Sequence, residues 1–182
     1  MNSANNASAF TLLELLFSLA ILLFLLSLAA PSIQTVMLRS SIKSQALEIR
    51  RALELARGLA VSQGKVFKLC TSNRSYQCVK ESGLRLLVFR DQDNNHQFDS
   101  TESLYLDSTL HQAIKLSASG RSYIRFKGSG EALDSGNFLV CAKNRAIDFG
   151  RQTIVFRSGR IRLTKDKDHD GYDDRGKQKI RC

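Results

Sequence analysis

Two arginines one residue apart, Arg160 and Arg162, follow the turn residues Ser158-Gly159 in the run Phe156-Arg157-Ser158-Gly159-Arg160-Ile161-Arg162-Leu163. On a β-strand alternate residues face the same side, so Arg160 and Arg162 share one face while Ile161 and Leu163 share the other. Their spacing is then about 6–7 Å, close to that of successive phosphates along a nucleic-acid strand. A planar guanidinium grips an anionic oxygen pair with two parallel hydrogen bonds. More cations follow: Lys165 and Lys167 along the strand, then Lys177, Lys179 and Arg181 in alternation. From Arg151 to Cys182 ten basic residues stand against five acidic ones. Two readings compete. The basic groups converge on a polyanion, or they pair locally with Asp166, Asp168, Asp170, Asp173 and Asp174 as a solvated face. Contact with DNA would be backbone-dominated, sequence-independent and steeply salt-dependent. The tail shows no helix-turn-helix or zinc finger, and Tyr172 is its aromatic residue.

Carboxylates supply a second kind of chemistry. Asp91-x-Asp93-x-Asn95 runs on to Glu102, close to a calcium-loop pattern, but His96 stands where the loop's Gly belongs. Asp166-x-Asp168-x-Asp170-Gly171 has that Gly and continues to Asp174, but Lys177 replaces the closing Glu. Each loop breaks one rule and neither lies between two helices, so a solvated turn is the first reading at both, with Asp91, Asp93, Asn95 and Glu102, and Asp166, Asp168, Asp170 and Asp174, as the alternative calcium ligands. No cofactor is expected. Glu14 is different: it is the lone charge in an apolar run from Phe10 to Ala30. A carboxylate in such a segment is costly unless it finds a partner.

The chain has 182 residues and a formal charge of +10. All 27 Lys and Arg, and all but one of the 17 Asp and Glu, lie beyond residue 30. So basic a domain suits a polyanion: nucleic acid, lipopolysaccharide or an anionic membrane. There is no Gly-rich phosphate loop and no credible nucleophile–base pair, which argues against an enzyme. The cysteines Cys70, Cys78, Cys141 and Cys182 form no Cys-x-x-Cys pair. An even number beyond an apolar segment favours disulfides in an oxidising compartment. Cys70–Cys78 would close a polar hairpin loop and Cys141–Cys182 would pin the C-terminal tail; other pairings stay open.

These groups need positioning elements. Residues 1–9 are a short uncharged leader, 10–31 a transmembrane-length helix and 32–64 an amphipathic helix. In the last, Ile33, Val36, Ile42, Ala46, Ile49, Leu53, Ala56 and Ala60 recur at three- and four-residue steps, ending near Gly58 or Gly64. Pro31 is expected to kink or loosen the junction. Beyond Gly64 the period becomes two. Strands are expected at 65–71, 84–90, 103–106, 113–116, 123–127, 137–142, 152–157 and 160–164. The fold class is α+β, a long helix on an antiparallel β-rich domain at 65–182.

The N-terminus resembles those of type IV pilins and the pseudopilins of type II secretion. The match is the polar leader, Phe10-Thr11-Leu12-Leu13-Glu14, the apolar helix and Pro31. Ala9 stands where the family has Gly, and the leader lacks Lys and Arg. The resemblance implies cleavage by a prepilin peptidase between Ala9 and Phe10, methylation of the new amine and pairing of Glu14 with the Phe10 amine of a neighbouring subunit. It also implies residence in the bacterial inner membrane with a periplasmic domain before assembly into a surface pilus. The outline beyond the helix is similar to the FimT/GspH group, and Gly159-Arg160-Ile161-Arg162 resembles a Gly-Arg-x-Arg motif of its FimT branch. That branch implies DNA binding during natural transformation for Arg160 and Arg162 only. The alternative is a FimU-like or GspH-like structural subunit that primes a pilus or pseudopilus without touching DNA.

Overall fold

A computed structural model of the chain describes residues 11–81, 83–143, 147–176 and 178–182; the side chains of residues 28–32 are outside that set. Ala9, Phe10 and Lys177 therefore lie outside the described residues. The chain divides into two compact units, residues 1–37 and 38–182.

One helix, α1 (Leu12–Gln63), runs through both, and its helical assignment includes position 31. Thr11 caps its start: its Oγ1 accepts the Glu14 N–H at 3.3 Å. Thr11 and Glu14 thus have the spacing of a capping box. Gly64 ends the helix in the left-handed region, at φ 62°, as Gly does after the last helical residue. In the first unit, Leu12–Leu26 carry exposed leucines, isoleucine and phenylalanines on all sides. Ser18 and Ser27 satisfy their hydroxyls on the helix's own carbonyls. Among the described residues no helix is long and apolar enough to cross a membrane.

In the second unit, α1 lies against two four-stranded antiparallel sheets. The first has the order β3 (Ser103–Thr109), β2 (Arg85–Arg90), β1 (Phe67–Ser72), β5 (Tyr123–Phe126). The second has the order β4 (Ile114–Ser119), β6 (Gly136–Ala142), β7 (Gly150–Val155), β8 (Ile161–Leu163). Each expected strand has its counterpart, within a few residues. A small hairpin, β9 (Asp174–Arg175) with β10 (Gln178–Lys179), was not foreseen, because two-residue strands carry no periodicity to read.

The helical stripe Ile42, Ala46, Ile49, Leu53, Ala56 and Ala60 is fully buried against Phe67, Leu69, Phe126, Phe138 and Val140. The alanines let the sheets approach the helix, and Thr153 reaches from β7 to the Ala46 carbonyl at 3.2 Å. Each fully buried Leu or Phe contributes about 1.5–3 kcal/mol. The far face of the first sheet is also covered. Cys70, Leu87, Phe89 and Tyr123 pack under Tyr76, Cys78 and Phe98, so β1 is buried at every residue. Disulfides join Cys70 to Cys78 and Cys141 to Cys182.

Candidate nucleic-acid interface

The turn that presents the arginines is a three-residue loop between Phe156 and Arg160. Phe156 N–H donates to the Arg160 carbonyl at 3.0 Å, and Gly159 N–H to the Phe156 carbonyl at 2.9 Å. Gly159 takes φ 78°, which favours glycine at that position of such a loop. A Cβ there would sit 2.0 Å from the Gly130 carbonyl oxygen. That same oxygen accepts a hydrogen bond from Arg57 Nε of α1 at 2.9 Å. The helix therefore fixes the β5–β6 loop, and the loop fixes the turn.

In β8, Ile161 and Leu163 pack toward the core while Arg160 and Arg162 are exposed. The register sets Ile154 opposite Arg162 and, through the turn bonds, Phe156 opposite Arg160. Both guanidiniums lie over the Phe156 ring, at 4.5 Å for Arg160 and 5.8 Å for Arg162. The reading from sequence placed no aromatic here, because it took Ser158-Gly159 as the whole turn. Adding Arg157 to the loop puts Phe156 on the arginine face. Beside it, Ile154, Phe156, Arg157 and Arg175 line a shallow pocket of about 470 Å³ with Asn137. Arg157 and Arg175 were not among the expected residues; only the folding back of the tail brings Arg175 there.

The tail is held over the second sheet by buried groups. Asp173, fully buried, accepts two hydrogen bonds from Arg151, at 2.7 and 2.9 Å, and one from Thr164 at 2.8 Å. Ile180 is buried, and Cys182 is tied to Cys141. The tail cations divide accordingly. Lys179 pairs with Asp170, and Arg181 lies 3.6 Å from Asp148. Lys165 and Lys167 are exposed. Among the described residues, no carboxylate forms an ion pair with Arg160, Arg162, Lys165 or Lys167. The carboxylates nominated as local partners are engaged differently: Asp173 by Arg151, Asp170 by Lys179, and Asp174 by the Lys167 backbone N–H at 2.9 Å.

The two acidic loops share one scaffold. In the first, Asp91, Asp93 and Asn95 accept the N–H groups of His96, Asn95 and Gln97. In the second, Asp166, Asp168 and Asp170 accept those of Gly171, Asp170 and Tyr172. His96 takes φ 68° in the place Gly171 fills at 90°. Their environments differ, and the reading of both as solvated turns needs correction for the first. Asp91 and Glu102 are buried there because Lys68, itself fully buried in β1, extends to Asp91 beneath His96 and the Tyr123 ring. Burial pushes the Lys68 ammonium below the usual lysine range, against the pull of Asp91. Burial alone would raise the Asp91 carboxyl, but hydrogen bonds from Lys68 and His96 outweigh it and hold it low. Burial, with the charge of Asp91 adding to it, pushes Glu102 up.

A long N-terminal helix packed on antiparallel sheet is the architecture of the type IV pilin class. The crystal structure of the Pseudomonas aeruginosa type IV minor pilin FimU matches in two crystal forms. Both are 19% identical, with TM-scores of 0.51 and 0.52, covering 68% and 70% of this chain and 92% and 90% of theirs. The minor pseudopilin EpsH from the type 2 secretion system of Vibrio cholerae matches at 16% identity and a TM-score of 0.51, over 68% of this chain and 95% of its own. At these identities the likeness is one of fold. Two family models also match: the prokaryotic N-terminal methylation motif at residues 4–30, and the type II transport protein GspH at residues 45–171. The latter covers well over half of the chain, which belongs to the GspH family of minor pilins and pseudopilins. A search of curated proteins finds no match.

Proposed function

We propose that this chain is a minor pilin whose exposed basic hairpin binds DNA without regard to sequence, for uptake in natural transformation. One observation carries the reading: Arg160 and Arg162 stand on one rigid face, exposed and without an ion-pair partner among the described residues, although acidic side chains are close in sequence. Lys165 and Lys167 extend the cationic line, and Arg157 and Arg175 flank it. Lys179 and Arg181, already beside carboxylates, contribute less, and Lys177 lies outside the described residues. Phe156 stiffens both guanidiniums from below. Phosphate contacts of this kind release counterions and carry no base preference. Repetition along a filament would supply avidity without new contacts.

Assembly rests on the other end. The methylation motif implies prepilin processing at Ala9–Phe10, a membrane-anchored stage and pairing with other pilin subunits. Glu14 is exposed, with no ion-pair partner among the described residues of the single chain, as expected of a carboxylate awaiting the next subunit's amine. On this reading the chain is a substrate of the prepilin peptidase. The same assembly features serve the structural alternative, so DNA binding is the discriminating measurement.

The test is titration of random-sequence duplex DNA with the full chain in non-ionic detergent, followed by fluorescence anisotropy at several salt concentrations. Arg160→Gln/Arg162→Gln should weaken binding and reduce the slope of log K against log salt by about 2, near 0.9 per lost phosphate contact. Absence of binding by the unaltered chain, or an unchanged slope in the double variant, leaves the structural minor pilin as the reading.

A further inference from the structure

The loop between β2 and β3 leaves two buried oxygens unaccounted for. The Asp91 side chain is 2% exposed and Glu102 is 8% exposed. Lys68 and His96 engage Asp91 through Oδ2, and the Gln92 N–H donates to Glu102 Oε1 at 2.7 Å. The opposite oxygens, Asp91 Oδ1 and Glu102 Oε2, are buried with no hydrogen-bond partner. Buried polar atoms are nearly always satisfied, and an orphan in a native protein calls for a specific cause such as an ion. Here two orphans belong to one cluster: oxygens from Asp91, Asp93 and Glu102 come within 4.8 Å of one another. That span is about twice a calcium–oxygen distance of roughly 2.4 Å. The charges point the same way. The single buried Lys68 ammonium faces both Asp91 and Glu102, and Asp93 adds a third carboxylate to the cluster, so negative charge is in excess there.

We propose that Asp91, Asp93 and Glu102 form a site for a hard divalent cation, calcium in particular. All-oxygen donors exclude a preference for soft metals. Calcium tolerates the irregular geometry that a loop with three carboxylates and an open, exposed side at Asp93 provides, whereas magnesium demands a near-ideal octahedron. Asp91 follows the last residue of β2, and Glu102 precedes the first of β3. A bound ion ties the two ends of the loop together and holds Phe98 and His96 over the far face of the first sheet. The nearby Lys68 ammonium repels the ion and keeps affinity in the weak range of extracellular modules, on the order of 10⁻⁴–10⁻³ M. The second acidic loop does not share this assignment. There a single oxygen, Asp166 Oδ1, is buried without a hydrogen-bond partner, where the first loop has two; Asp174 is half-buried where Glu102 is buried, Asp168 is exposed, and Asp170 turns to Lys179.

The experiment titrates calcium chloride into the full chain in non-ionic detergent after removal of metals with EDTA, read by calorimetry and by thermal unfolding. The expected result is a binding event with a Kd in the range above and a melting temperature that rises with calcium. Asp93→Asn, a change at an exposed position outside the core, should weaken binding at least tenfold. Glu102→Gln should abolish the thermal response, yet melt no earlier than the unaltered chain in EDTA, because the amide oxygen keeps the Gln92 N–H bond and a buried charge is removed. Asp168→Asn should change neither readout. The proposal is overturned by an unaltered chain that shows neither heat nor thermal shift well above 10⁻³ M calcium. It is equally overturned by full binding in both first-loop variants, or by loss of binding in Asp168→Asn.

Discussion

Single side chains here divide into those whose charge is spent inside the fold and those whose charge is left outside. Lys68 is the clearest of the first kind. Its sequence position, in an alternating strand of a basic domain, suggested nothing unusual, because burial of an ammonium depends on a carboxylate 23 positions away. Arg85 and Asp107 form a more exposed pair across β2 and β3: Arg85 Nε donates to Asp107 Oδ1 at 2.7 Å, and the Tyr76 hydroxyl adds a bond at 3.0 Å. The Arg85 hydrogen bond, joined by that of Tyr76, holds the Asp107 carboxyl below the usual range. Its unfolded value is about 3.9. A depressed carboxylate stabilises the fold above that value, and the contribution is lost as pH falls through the lower folded value. Asp107→Asn should therefore melt earlier than the unaltered chain at pH 7. The gap should close as pH falls below about 4, which thermal scans across pH will show. A gap independent of pH would mean that packing, not charge, holds the pair.

Elements were legible where periodicity is long enough to count. The helical stripe and the strands show steps of three to four and of two, and the fold repeats both, except that Ile33 and Val36 at the head of the stripe are exposed. Much of what stayed hidden has a common cause, distance along the chain. The cover on the far face of the first sheet is built from loops around Tyr76 and Phe98, and β1 reads as half-exposed until those loops are placed. The site was legible in part: Arg160 and Arg162 follow from alternation. Phe156 required the right turn length, and Arg175 required the folded tail. The turn itself is sharply determined. Gly159→Ala adds a Cβ at 2.0 Å from the Gly130 oxygen and forces an L side chain into φ 78°. It should cost about 1–3 kcal/mol, while Ser158→Ala, at an exposed neighbouring position, should be near neutral. DNA affinity should fall with Gly159→Ala although no charge is removed. A melting temperature indistinguishable from that of Ser158→Ala would show that the turn can shift without penalty.

For the whole molecule, the proposed assembly and DNA-binding roles fall on separate parts of one chain and are expected to respond to separate substitutions. The first unit holds Glu14 among exposed apolar residues; the second holds the core, both disulfides and the basic hairpin. Glu14→Ala should leave the chain folded and its DNA affinity unchanged while removing it from filaments sheared off cells, as detected with antibody. Its continued presence in the sheared fraction would remove the reason for a carboxylate at that position. Arg160→Gln/Arg162→Gln should show the reverse pattern.

The contact between Arg57, Gly130 and Gly159 has a mechanical meaning. On the proposed reading, a nucleic-acid strand held by Arg160 and Arg162 would pull on a turn whose backbone rests on the Gly130 carbonyl, and that carbonyl is tied to a side chain of α1. Load applied at the hairpin would then pass through two short links to the helix instead of peeling β8 from the edge of its sheet.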